Sequence, residues 1–235
     1  MLGAIAGDIA GSVYEHNNVR TKDIELFTGP CTFTDDTVLT IALMECLLEQ
    51  GNYAEYMKRY ALAYPKAGYG TQFWQWVKSE TNTPYNSFGN GSAMRVSPVG
   101  FVYSELPQVL KEAKKSAAFT HNHPEGIKGA QAVAAVVFLA RTGHSKSKIK
   151  EFLTGTFGYD LSRTIDDIRY DYTFDSSCQG SVPQAISAFL EAENFEDALL
   201  NAISIGGDSD NIASMAGAMA ETFYGVPEWV QRKVL

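Results

Sequence analysis

Apolar positions along this chain recur at helical spacing, and no stretch alternates between apolar and polar residues over a useful length. No run is rich in Val, Ile and Thr, the residues that favour strands. The pattern predicts helices at residues 1–12, 35–50, 53–64, 70–78, 107–119, 124–141, 146–157, 166–170, 182–192, 195–204 and 227–235, and helical segments opening near residues 91–95 and 206–211. The prediction is an all-α fold forming a single domain over residues 1–235.

Two of the predicted helices begin with oxygen-bearing side chains. Thr34, Asp35 and Asp36 open one helix, and Asp208 and Asp210 open another far down the chain. A hydroxyl can cap free backbone amides, and acids are favourable near the positive end of the helix dipole. Capping alone therefore explains each stretch when it is taken separately.

The repetition of this pattern suggests a second hypothesis, in which the two acidic helix starts meet. Four carboxylates in one place repel, and helix dipoles compensate for only about 0.3 to 1 kcal/mol each. A bound divalent cation would resolve the conflict, and an all-oxygen set of ligands selects Mg²⁺, Ca²⁺ or Mn²⁺. The acids suffice for two ions that share ligands. Spacing in the sequence does not show that the groups meet, so separate capping remains an alternative.

The first predicted helix carries Gly3, Gly7 and Gly11 along one face, with Glu15 just beyond its end. Glycine destabilises a helix, so this spacing indicates the close approach of another backbone or of a ligand. Helix packing is the favoured interpretation. Glu15 is the free acid that precedes the first acidic helix start.

A loop at residues 83–95 combines Gly, Asn and Ser with aromatic residues and leads into a helical segment. Such a loop either presents bare amides to an anion or forms an ordinary turn. His121 and His123 lack the spacing of a zinc site, and His121 is interpreted as a ligand contact or a surface residue. The aromatic helix at 70–78 is interpreted as core.

Composition narrows the classes of function. The chain has 235 residues and a net charge of −8, which argues against nucleic acid as a partner. Its longest apolar run, 130–140, is too short to cross a bilayer. The apolar N-terminus lacks a basic flank and is interrupted by Asp8, unlike a signal peptide. With three cysteines that lack metal-type spacing, the expectation is a cytoplasmic protein without a membrane partner.

In their order along the chain, these motifs resemble the ADP-ribosylglycohydrolases, a family that includes dinitrogenase reductase-activating glycohydrolase and the ADP-ribosylarginine and ADP-ribosylserine hydrolases. The resemblance covers most of the chain and rests on residues 3–11, Tyr14-Glu15, 33–37, 87–95, Thr120-His121 and 206–210. No single motif is decisive, but several motifs in the right order are specific.

The resemblance implies a compact orthogonal bundle of helices around a centre of two Mg²⁺ or Mn²⁺ ions. The implied substrate is ADP-ribose joined through C1 of its terminal ribose to a protein side chain or a small molecule, and the implied product is free ADP-ribose. The implied metal ligands are Thr34, Asp35, Asp36, Asp208, Asp210 and Asn211. The implied substrate contacts are Ser87, Phe88, Gly89, Asn90, Gly91 and His121, with the pyrophosphate on the loop and the adenine near Phe88.

Cleavage at C1 passes through an oxocarbenium-like state and needs an acid/base group. We assign this role to Glu15 and place Asp35 beside it as a second catalytic residue. Asn211 stands where the family usually has Thr, although its amide oxygen can still coordinate a hard cation. Two other functions remain open: a module that binds ADP-ribose without cleaving it, and a metal-dependent pyrophosphate hydrolase. The sequence does not determine the acceptor, which can be arginine, serine, another side chain, a nucleic-acid base or a small metabolite. Residues 19–32 and 159–179 are expected at the cleft rim.

Overall fold

The computed structural model describes residues 1–235 and contains helices with no named strand, as predicted. The only β pairing is an isolated bridge between Gly89 and Ser177. In chain order the helices are α1 Leu2–Gly11, α2 Asp35–Leu48, α3 Tyr53–Ala63, α4 Thr71–Lys78, α5 Gly91–Met94, α6 Ser97–Val102, α7 Leu106–Ala118, α8 Pro124–Arg141, α9 Lys146–Phe157, α10 Ile165–Asp171, α11 Cys178–Glu191, α12 Phe195–Ile205, α13 Ser209–Tyr224 and α14 Glu228–Val234.

Most helix ends lie within two residues of the predicted ones, and α11 is the main exception. It begins at Cys178, four residues before the predicted start, because the Ser177 hydroxyl accepts a hydrogen bond from the Gly180 amide at 3.1 Å. Pro183 lies inside this helix, although proline usually marks a helix boundary. The helical segment predicted after the 83–95 loop is divided into α5 and α6.

The core is built around α8 and α13. Helix α8 is apolar on nearly all sides and packs against α5, α6, α7, α9, α11 and α13. Such a helix is buried all round rather than amphipathic. One cluster of 56 buried apolar residues runs through the molecule. None of the helices combines the length and the apolarity needed to span a membrane.

The glycine face of α1 lies directly against the backbone of α13, which agrees with the packing interpretation. A Cβ atom at Gly7 would lie 2.0 Å from the Ala213 carbonyl oxygen, and one at Gly11 would lie 2.6 Å from Asp210 Cα. No side chain can be accommodated at those distances, so the glycines allow the two backbones to touch. This contact fixes α1 against the acidic start of α13.

We expect Gly7→Ala to lower the free energy of unfolding by about 1 to 3 kcal/mol, the usual cost of overpacking a core. The atoms in the way belong to the backbone of Ala213 and Ser214, which cannot rotate aside. Gly155→Ala is the matched control, because Gly155 is an exposed glycine in α9 and a Cβ atom added there would have no neighbour within 4 Å. Thermal melting should show a loss at Gly7 and no loss at Gly155; equal melting temperatures would contradict the packing role.

Candidate functional site

The N-termini of α2 and α13 and the 85–91 loop border one cleft of about 540 Å³, a size typical of small-molecule sites. All of the site residues named from the sequence line this cleft except Asp36, which is completely buried. The lining residues among them are Glu15, Thr34, Asp35, Ser87, Phe88, Gly89, Asn90, Gly91, His121, Asp208, Asp210 and Asn211. Residues more than a hundred positions apart in the sequence are thus collected at one place.

Asp8, on α1, organises the start of α2. One carboxylate oxygen accepts from the Thr34 hydroxyl at 2.7 Å, and the other accepts from the Thr34 amide at 2.9 Å. The second oxygen also accepts from the amide of Thr37, at 3.1 Å, and from its hydroxyl. Thr34 in turn caps α2 by accepting from the Asp36 amide at 3.3 Å. Asp8 therefore sets the orientation of the Thr34 hydroxyl.

This role of Asp8 was not predicted from the sequence, in which the residue only interrupts an apolar segment. The sequence does indicate that Asp8 is buried, because it lies on an apolar, glycine-faced helix. A buried carboxylate needs hydrogen-bond donors. Asp8 is fully buried. The sequence does not show which donors these are, and in the structure they are Thr34 and Thr37, which lie 26 and 29 residues further along the chain.

The two acidic helix starts meet in space, as the second hypothesis from the sequence requires. Carboxylate oxygens of Asp8, Asp36 and Asp210 lie within 4.8 Å of one another, and so do those of Glu15, Asp208 and Asp210. Asp210 belongs to both groups, which we call the inner and the outer carboxylate cluster respectively. Asp35 lines the cleft beside them and belongs to neither cluster.

Electrostatics at these clusters favours the neutral acids when no cation is bound. Burial, together with the charge of Asp8, raises the pKa of Asp35 to about 8. Burial and neighbouring carboxylates raise the pKa of Asp36 and of Asp210 well above the usual value. One buried carboxylate oxygen of Asp36 and one of Asp210 have no hydrogen-bond partner. These orphaned oxygens and the all-oxygen donor set fit a hard divalent cation.

We expect the metal-free protein to lose stability as the pH rises. Each acid with a raised pKa keeps its proton in the folded state, whereas the unfolded chain releases it near pH 4. Between that pH and about 8, the folded state therefore binds more protons, and its stability falls with increasing pH. The melting temperature in a chelator should drop by about 7 to 14 °C between about pH 5.5 and 8 for each proton that the folded state retains. Adding Mg²⁺ should flatten this slope; identical slopes with and without Mg²⁺ would contradict a metal-binding role.

The opposite side of the cleft is held by a network of side-chain amides around Asp208. Asn90 donates to an Asp208 carboxylate oxygen at 2.7 Å. The Asn211 amide nitrogen donates to the same oxygen at 3.0 Å and to the Asn90 amide oxygen at 2.9 Å. Both hydrogens of the Asn211 amide have acceptors, so its oxygen is the atom left for a ligand. Asn90, predicted as a substrate contact, also joins the loop to α13.

The cleft wall includes residues that sequence analysis did not predict. The N-terminal end of α4 contributes Thr71, Gln72 and Phe73, whereas Trp76 and Val77 of the same helix lie in the core. The aromatic helix is therefore core, as interpreted, because Phe73 is buried together with Trp76 and Val77, and its first turn also borders the cleft. The other wall residues outside the segments that the sequence placed at the site are Leu39, Gly68 and Gly70, and the 83–95 loop contributes four further residues, Tyr85, Asn86, Met94 and Arg95.

Of the two segments expected at the cleft rim, only 159–179 contributes residues to the cleft lining. Residues 174, 176 and 177 line the cleft, as expected for the 159–179 segment. No residue of 19–32 lines it, so that part of the expectation was wrong. Arg20 instead donates to the carbonyl oxygens of Arg169, Tyr172 and Ile205, and thereby joins the end of α10 to the end of α12.

Comparisons with known proteins agree with this architecture. The family model described as ADP-ribosylglycohydrolase matches residues 1–233. ADP-ribosylhydrolase ARH3 of Mus musculus is 29% identical to the chain, over 98% of the chain and 85% of that protein. ADP-ribosylarginine hydrolase Tri1 of Pseudomonas putida is 26% identical, over 99% of the chain and 72% of that protein.

A solved structure, titled as an ADP-ribosylglycohydrolase-related protein complex, superposes with a TM-score of 0.75 at 23% identity. It covers 98% of the chain, and the chain covers 90% of it. This likeness shows that the helical architecture is shared.

Proposed function

The chain belongs to the ADP-ribosylglycohydrolase family, and we propose that it hydrolyses the C1 glycosidic bond between ADP-ribose and an acceptor, with release of free ADP-ribose. The observation that carries the proposal is the pair of carboxylate clusters that share Asp210 beside a cleft. Buried acids that repel one another destabilise a fold unless they bind something. The polar cleft beside them has room for a nucleotide-sized ligand.

The proposed cofactor is two divalent cations, Mg²⁺ or Mn²⁺, held where the two carboxylate clusters meet at Asp210. The residues that would hold them are Thr34, Asp35, Asp36, Asp208, Asp210 and Asn211. The orphaned oxygens of Asp36 and Asp210 support this set, as does the uncommitted amide oxygen of Asn211. When bound, the cations supply Lewis-acid polarisation of oxygen atoms. Asp8 acts behind the site by fixing the Thr34 hydroxyl.

Glu15 is the proposed acid/base group. Its side chain is half-buried, lines the cleft and lies in the outer carboxylate cluster. Burial raises the pKa of Glu15, and the charges of Asp208 and Asp8 add to the rise, against an opposing effect of His16. A raised pKa favours the protonated carboxyl, which can transfer its proton from the carboxyl oxygen. Protonating the acceptor as it leaves C1 is the step assigned to this oxygen.

The 87–91 loop is the proposed binding site for the pyrophosphate. The backbone amides of Phe88 and Gly91 donate to no protein atom, so two N–H groups of the loop are free for phosphate oxygens. The half-exposed Phe88 ring meets His123 edge-on at 5.4 Å and presents an aromatic surface for the adenine. The loop is anchored by its amide contacts to Thr120 and Ser176.

The proposed partners are ADP-ribosylated proteins or small molecules, with no nucleic acid or membrane involved. The acidic composition argues against nucleic acid as a partner. The cleft supports the same conclusion, because its only Lys or Arg side chain is the buried Arg95. Three free cysteines accord with the cytoplasmic location that the sequence predicts.

Product analysis tests the proposed function. Peptides that carry ADP-ribose on arginine or on serine are incubated with the protein and Mg²⁺, and the products are separated by chromatography. We expect free ADP-ribose and the unmodified peptide from at least one substrate. AMP as the product would identify a pyrophosphate hydrolase. Tight binding of ADP-ribose without any release would identify a binding module.

A further inference from the structure

Thr120 lies between a buried cation and a buried imidazole. Nη2 of Arg95 donates to the Thr120 hydroxyl oxygen at 3.0 Å, and this oxygen lies 2.8 Å from Nδ1 of His121. All three side chains are buried, and Arg95 has only 1% of its surface exposed. The guanidinium also lies 5.0 Å from the Phe119 ring and forms no ion pair with a carboxylate.

The hydrogen bonds of this group determine the positions of two protons, the Thr120 hydroxyl hydrogen and the ring proton of His121. Arginine can only donate, so the Thr120 oxygen is an acceptor toward Arg95. The Thr120 hydroxyl hydrogen then has one acceptor within reach, Nδ1 of His121. If Nδ1 carried a proton and donated instead, the hydroxyl hydrogen would be buried without an acceptor, which costs about 1 to 3 kcal/mol. Nδ1 is therefore the acceptor, and the neutral ring carries its proton on Nε2.

The other ring nitrogen faces the glycines of the 87–91 loop. A Cβ atom at Gly91 would lie 3.3 Å from Nε2 of His121, and one at Gly89 would lie 3.7 Å from it. Nε2 makes no hydrogen bond to any protein atom, and His121 lines the cleft. The two glycines thus keep the donor edge of the imidazole open toward the space beside the loop.

We infer that Arg95 and Thr120 are positioning residues that hold His121 as the neutral tautomer protonated on Nε2, so that Nε2–H donates to a phosphate oxygen of the substrate. The identity of that acceptor rests on the proposed function, whereas the tautomer rests on the geometry alone.

The charge states of His121 and Arg95 support the assignment of His121 as a neutral donor. Burial, with a further contribution from the Arg95 charge, lowers the pKa of His121 well below its usual value. Burial lowers the pKa of Arg95 to about 10, which leaves the guanidinium charged at neutral pH. The site therefore offers an anion a neutral imidazole donor with a fixed positive charge behind it.

The test is the ¹⁵N spectrum of histidine-labelled protein, which distinguishes protonated from unprotonated ring nitrogens. His121→Gln identifies the His121 signals among those of the four histidines. The parent protein should show His121 protonated on Nε2 at neutral pH. Thr120→Ser, which keeps the hydroxyl, should show the same tautomer. Thr120→Val should lose this preference and weaken ADP-ribose binding about tenfold, as expected for one hydrogen bond to a charged group.

A parent spectrum with His121 protonated on Nδ1, or doubly protonated, would overturn the inference even if Thr120→Val failed to fold. An unchanged tautomer in a folded Thr120→Val variant would overturn the role of Thr120. The predicted tautomer in a protein that binds no ADP-ribose would separate the two proposals: the positioning by Arg95 and Thr120 would stand, and the proposed substrate would be wrong.

Discussion

Glu15→Gln is expected to lower the turnover number by a factor of about 10² to 10⁴, the usual contribution of a general acid/base group. The substitution keeps the size of the side chain and removes its titratable proton. Asp208 and Asp210 remain in the outer carboxylate cluster, so Mg²⁺ and ADP-ribose should still bind. Steady-state release of ADP-ribose measures the first effect, and calorimetric titration with Mg²⁺ and with ADP-ribose measures the second.

Glu55→Gln is the matched control for this experiment, because Glu55 is exposed on α3 and does not line the cleft. It should behave as the parent does in every assay. Parental turnover in Glu15→Gln would remove Glu15 from the acid/base role. A loss of Mg²⁺ binding as large as the loss of turnover would show instead that Glu15 acts as a ligand.

Asp210→Asn is expected to weaken Mg²⁺ or Mn²⁺ binding about 100-fold or more. Changing a residue that merely supports a metal ligand already costs about 10- to 100-fold in affinity. Asp210 is the one carboxylate common to both clusters. Activity at limiting metal should fall with the affinity and recover in part when more metal is added.

The stability of the metal-free Asp210→Asn variant provides an independent readout. Removing one of several crowded carboxylates relieves repulsion in the absence of metal, and one Asp210 oxygen has no hydrogen bond to lose. The metal-free variant should therefore melt no lower than the parent. Asp23→Asn, at an exposed acid outside the cleft, is the control for loss of a charge. Metal titrations that superpose on those of the parent would contradict the shared-cluster assignment.

The fold was predictable because its helices follow from local rules. Apolar spacing located the long helices, and capping residues such as Thr34 and Asn52 mark their starts. The prediction failed at the start of α11, where a local cap acts together with a tertiary contact, because the Cys178 amide donates to the Phe88 carbonyl oxygen at 2.8 Å. Helix α11 begins before Pro183 because Ser177 caps it.

The sequence indicated which residues form the candidate site, but it did not show how their side chains are grouped in space. Motif order indicated which acids belong together, but spacing could not show that Asp210 is shared by two clusters while Asp35 lies beside them. Asp8 was missed because its partners lie far along the chain, at the cap and in the first turn of α2: Thr34 and Thr37. The role of Thr120 depends on Arg95, which lies on a different segment and is buried. Such arrangements depend on how the helices pack, which local patterns in the sequence do not specify.

We propose that this cleft releases ADP-ribose only when divalent cations are bound. The most direct measurement follows ADP-ribose release from ADP-ribosylated arginine and serine peptides by protein stripped of metal with a chelator, before and after Mg²⁺ or Mn²⁺ is restored. We predict no release by the stripped protein and recovery of release on restoring either ion, but not on adding NaCl to the same ionic strength. Release of ADP-ribose at an undiminished rate by the stripped protein would contradict the account.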